Sequence, residues 1–64
     1  MTDRERAELQ RRFEEHRVPE RARLRILNAA REKARQERTV YRHALAELRA
    51  WLAGRQKEIP WTRA

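Results

Sequence analysis

The stretch REKARQERTVYR, Arg31 to Arg42, decides the fold, because it is either the middle of one long helix or the connection between two. From Arg31 to Thr39 the only apolar side chain is Ala34, and Thr39 is a residue type that caps a new helix. Both features argue for a break. Helical phase argues against one. Projected at about 100° per residue, Leu27, Ala30, Ala34, Tyr41, Ala44, Leu45, Leu48 and Leu52 share an arc of about 100°, which Ile26, Val40 and Trp51 widen on one side. Arg31, Arg35, Arg38, Arg42 and Arg49 share a neighbouring arc of about 60°. A turn near residue 37 would make this double agreement accidental. The stretch therefore reads first as part of an all-α helical hairpin whose long second helix covers about 20–53, about 50 Å if unbroken. The alternative is a compact three-helix bundle, with segments 3–17, 20–36 and 39–53 of nearly equal length.

Outward from this stretch the signals are local and clear. Thr2 followed by Glu5 forms a capping box, which starts a first helix near Asp3. That helix should stop by about Arg17, since the residue before a proline is pushed out of the α region, and Pro19 suits the first turn of the next helix. Gly54 is the expected left-handed stop at the far end. Residues 1–54 then form one small helical domain and 55–64 a tail containing Ile59, Pro60 and Trp61.

Composition makes the core thin. Of 64 residues, 17 are basic and 10 acidic, a formal net charge of +7, and ten of the residues counted as hydrophobic are alanine. A chain this short often needs a staple or a partner. The absence of cysteine excludes disulfides, thiolate catalysis and cysteine zinc sites. No long apolar run is present, so neither a signal peptide nor a membrane span is expected and the expected location is cytoplasmic.

Little in the chain suggests reaction chemistry. There is no serine, the two histidines, His16 and His43, stand far apart, and neither HxxxH nor ExxH occurs. The single glycine excludes a glycine-rich phosphate loop. Glu8 with Arg12, Glu14 with Arg17, Glu20 with Arg23 and Glu32 with Arg35 have the spacing of solvated helix pairs. General acid or base work needs a cavity that shifts a pKa, and one helical layer offers little of one. The expectation is a non-enzymatic protein with no catalytic residues, metal, cofactor or small-molecule substrate.

Binding is the better prospect. Fifteen of the basic residues are arginine, whose planar fork matches phosphate. On one long helix, the ridge Arg31, Arg35, Arg38, Arg42 and Arg49 would span about 27 Å and track a nucleic-acid backbone, DNA ahead of RNA. Arg17, Arg21, Arg23 and Arg25 add a second basic cluster at the hairpin. The alternative reading of the ridge is a solvated face, since Glu32 and Glu37 lie within it and an arginine-rich composition needs no ligand to explain it.

The run Arg38, Thr39, Val40, Tyr41, Arg42, followed by Ala44, Leu45, Ala46, Glu47 and Leu48, resembles the recognition helix of bacterial helix-turn-helix regulators. The resemblance implies that Arg38, Thr39 and Arg42 face DNA while Val40, Tyr41 and Leu45 pack inward. Upstream, Ala29, Ala30 and Arg31 are similar to the preceding helix, but the glycine of the turn is missing.

A second functional reading starts from the apolar side. In the long-helix arrangement, Leu9 and Phe13 of the first helix would cover Ile26, Leu27 and Ala30 but leave Val40 to Leu52 bare. Tyr41, Leu45, Leu48, Trp51 and Leu52 would then meet a protein partner, most simply a second copy, since Ala34, Tyr41 and Leu48 recur at heptad spacing. Trp61 would anchor the tail in that partner, giving an accessory or inhibitory protein.

Overall fold

The computed structural model describes residues 1–57, and among these the α-helices are α1 (Asp3–Glu15), α2 (Glu20–Lys33) and α3 (Val40–Lys57), with a 3-10 turn at Glu37–Thr39 before α3. The start of α1 is the expected capping box. The Thr2 hydroxyl accepts from the Glu5 amide at 3.1 Å, and the Glu5 carboxylate accepts from the Thr2 amide at 2.9 Å.

α1 ends in a Schellman motif. The Val18 amide donates to the Phe13 carbonyl at 2.8 Å and the Arg17 amide to the Glu14 carbonyl at 3.0 Å, which places Arg17 in the left-handed region at φ 51°. Phe13 and Val18 both enter the core, the apolar pairing that usually accompanies this motif. Pro19 stands one residue earlier than expected, as the N-cap of α2 rather than within its first turn. Its carbonyl accepts from the Arg23 amide at 3.0 Å.

The long second helix does not form. α2 ends at Lys33, and both Ala34 (φ −77°, ψ 129°) and Gln36 (φ −135°, ψ 150°) are extended. The three-helix arrangement, the alternative from the sequence, is the one adopted. Packing explains the choice. Ala22, Ile26 and Ala30 form one row of buried residues at four-residue spacing on α2, and Val40, Ala44 and Leu48 form another on α3. In a straight helix the Val40, Ala44 and Leu48 row would stay in water and the α2 row would be covered only by α1; folding back at residues 34–39 buries each row against the other, and the alanines let the helices approach closely. Thr39 assists in a way its cap chemistry did not suggest, since its hydroxyl donates to the Gln36 carbonyl at 2.7 Å and its amide to the same carbonyl at 3.0 Å.

Two contacts fix the direction of the helices. The Met1 ammonium donates to the Glu37 carbonyl at 2.8 Å, so α1 begins beside the α2–α3 connection. The Arg55 guanidinium donates to the His16 carbonyl at 3.3 Å, so the C-terminal part of α3 lies beside the α1–α2 corner. The chain therefore runs up, down and up. α1 contributes only Leu9 and Phe13 to the buried core, whereas α2 and α3 pack against each other over most of their length.

Gly54 does not end α3. The helix continues through it to Lys57, and no glycine has positive φ. The domain boundary expected after residue 54 thus falls inside a helix. Among the described residues no helix is long and apolar enough to cross a membrane.

Candidate functional site

Folding back at residues 34–39 divides the arginine ridge. Arg31 lies on α2, Arg35 in the connection, Arg38 in the 3-10 turn, and Arg42 and Arg49 on α3. They do not share one helix face, so the continuous 27 Å track expected of an unbroken helix is lost. All five remain exposed. Arg31 lines the groove between α1 and α2, together with Leu9, Phe13 and Leu27, and Arg49 lies two turns along α3 from Arg42.

Three of the five stay together. Arg35, Arg38 and Arg42 flank the N-terminal turn of α3, a turn without acidic residues. The 3-10 turn that runs directly into this helix does carry one, Glu37 at its first position, and the Val40 amide already donates to the Glu37 carbonyl. Arg38 is oriented by a neutral group, its Nε donating to the Gln36 side-chain oxygen at 2.7 Å. The nearby Glu37 carboxylate lies 3.8 Å from the Met1 ammonium. The ion pairs among the described residues are Met1 with Glu37, Glu8 with Arg11 and Arg12, and Lys33 with Glu47, so none of the ridge arginines is neutralised by one. Glu8 is held below its usual carboxylate range, chiefly by the hydrogen bond from Arg11.

The order of burial follows the recognition-helix resemblance at Arg38 and Arg42, which are exposed, at Val40, which is buried, and at Tyr41 and Leu45, which are half-buried, but not at Thr39, which is half-buried with its hydroxyl donating to the Gln36 carbonyl. The arrangement of the helices does not follow it. A helix-turn-helix crosses at a steep angle after a short turn. Here α2 and α3 are antiparallel, and the far end of α3 returns to the α1–α2 corner. Its N-terminal end, rather than a projecting face, carries the free arginines.

The second basic cluster is also rearranged. Arg23 serves the fold: its Nε donates to the Val18 carbonyl at 2.8 Å, and its guanidinium lies over the Phe13 ring, 5.6 Å from the centroid. Arg17 and Arg25 instead meet Arg55 around a hollow that also includes Pro19, Trp51 and Gly54. Arg55 was not a candidate from sequence, because its place opposite Arg17 and Arg25 arises only when α3 folds back.

The apolar candidates are largely used within the chain. Leu48 is 4% exposed and belongs to the core, so its side chain is already covered within the chain. Tyr41, Leu45, Trp51 and Leu52 are half-buried and pack against that core. The bare Val40–Leu52 surface that called for a partner was a consequence of the unbroken helix. Trp61, with Ile59 and Pro60, lies outside the described residues. No group of three or more metal-ligating side chains occurs among the described residues. Comparison with known proteins finds no matching family model, no matching curated protein and no matching solved structure.

Proposed function

We propose that the protein binds nucleic acid through backbone phosphates, with Arg35, Arg38 and Arg42 as the principal contacts. One observation carries the reading: three exposed arginines without ion pairs among the described residues lie in the α2–α3 connection, the 3-10 turn and the first turn of α3. Arginine forks match phosphate oxygens in geometry and charge. Contacts of this kind position a protein on a duplex without reading bases, which suits a compact bundle lacking a projecting helix. Arg31 on α2 and Arg49, two turns beyond Arg42 on α3, would add to the surrounding positive field.

The test is fluorescence anisotropy with a labelled DNA duplex over a range of salt concentrations. Each phosphate neutralised contributes about 0.9 to the slope of log affinity against log salt. Replacing Arg35, Arg38 and Arg42 together by glutamine should therefore weaken binding and flatten the slope by about 2.7, at about 0.9 per lost contact. Unchanged affinity and slope in the folded triple variant would refute the reading. A single-stranded RNA run alongside decides between DNA and RNA.

A further inference from the structure

The hollow at the opposite end of the bundle breaks two local rules at once. Arg17 occupies a left-handed position, φ 51°, where glycine is the relaxed choice. Gly54 lies inside α3, where alanine is the favoured small residue. Each choice is locally unfavourable: the first is set by the Schellman motif that ends α1, the second by no packing contact, and both residues border the same space. Arg17 and Gly54 both line it, and a Cβ on Gly54 would meet nothing within 4 Å, so packing does not require glycine there. Departures from local preference that converge on one site are where function is expected.

The lining is chemically one-sided. Among the described residues the hollow, about 690 Å³, is bounded by Arg17, Pro19, Arg25, Trp51, Gly54 and Arg55, none of them acidic. Arg55 is held in place from two sides, by the His16 carbonyl and by the Trp51 ring, whose centroid is 5.5 Å away. Pro19 begins α2, whose N-terminus has no side-chain cap and carries Glu20 in its first turn. Three cationic forks and an uncapped helix start thus border one concavity.

We infer that this hollow binds a phosphate group, as inorganic phosphate or the phosphate of a small ester. Three guanidiniums favour a phosphate dianion over a single carboxylate, and each offers two donors to its oxygens. The site shares no residue with the α3 N-terminal arginines, so it stands or falls separately from the nucleic-acid reading.

Trp51 is a built-in reporter. In the full chain carrying Trp61→Phe it is the only tryptophan, and its fluorescence is followed while inorganic phosphate replaces chloride at constant ionic strength. A saturable change is expected, with the midpoint raised at least tenfold in Arg25→Gln and no comparable saturation by acetate. No saturable change, an unaltered midpoint in Arg25→Gln, or equal binding of acetate would each overturn the assignment. The unsubstituted chain provides a second measurement: phosphate should raise its melting temperature, and Arg25→Gln should abolish that rise. A nucleoside monophosphate in parallel separates the sources, because an equal midpoint assigns the site to the phosphate group alone and a lower one to an ester.

Discussion

Arg17→Gly should stabilise the protein, although arginine is the richer side chain, because the gain is in the backbone. At φ 51° the Cβ of Arg17 is crowded against its own peptide unit, and a left-handed conformation costs an L-residue about 1–2 kcal/mol. Glycine removes that cost but loses more freedom on folding, a penalty of about 0.5–1 kcal/mol. The net expectation is a gain of about 0.5–1 kcal/mol, equivalent to a rise in melting temperature of about 2–8 °C for a chain of this size. Nothing else should change, since the Schellman hydrogen bonds are made by backbone groups and Arg17 is outside the core. The assay is thermal unfolding followed by circular dichroism at several phosphate concentrations. Arg17→Gln is the control, because it removes the charge but keeps the Cβ at positive φ. Glycine should melt above glutamine, while both lose the phosphate-dependent increment seen with arginine. If Arg17→Gly melts at or below Arg17→Gln, the strain argument is wrong, and with it one of the two departures that single out the hollow.

Phe13→Ala should be close to unfolding the chain. A buried phenylalanine truncated to alanine costs about 3–5 kcal/mol, comparable with the about 3–10 kcal/mol that about 0.05–0.15 per residue allows for 64 residues, and α1 has only Leu9 left as a buried anchor; urea denaturation showing a loss below about 1 kcal/mol would contradict this account of the core. Glu8 should make stability sensitive to acid. The Arg11 hydrogen bond lowers its pKa from the ordinary 4.5, so its contribution is complete above about that pH and is lost as pH falls through the lower folded value. Stability of the wild-type chain minus that of Glu8→Gln, measured from pH 6 to pH 3, should shrink on acidification; a difference that grows would have the wrong sign.

What could be read early and what could not follows from the range of the interactions. The Thr2–Glu5 box and the stop before Pro19 depend on residues a few positions apart, so the sequence displays them directly. The Gly54 stop was a local preference overruled by the surrounding helix, which continues to Lys57. The connection at residues 34–39 had no local signal strong enough to outweigh helical phase, because its reason lies in Ala22, Ile26 and Ala30 meeting Val40, Ala44 and Leu48. Likewise, Arg17, Arg25 and Arg55 come from three separate segments, and no spacing rule joins them.

Sequence alone determined that the chain is helical, where α1 begins, that α1 ends before Pro19, and that arginine dominates the surface. Tertiary structure decided whether Arg31 to Arg42 continues or turns, and hence which arginines stand together. The physical reason is that propensity and capping act within a few residues, whereas the burial of two apolar rows is available only when the chain meets itself.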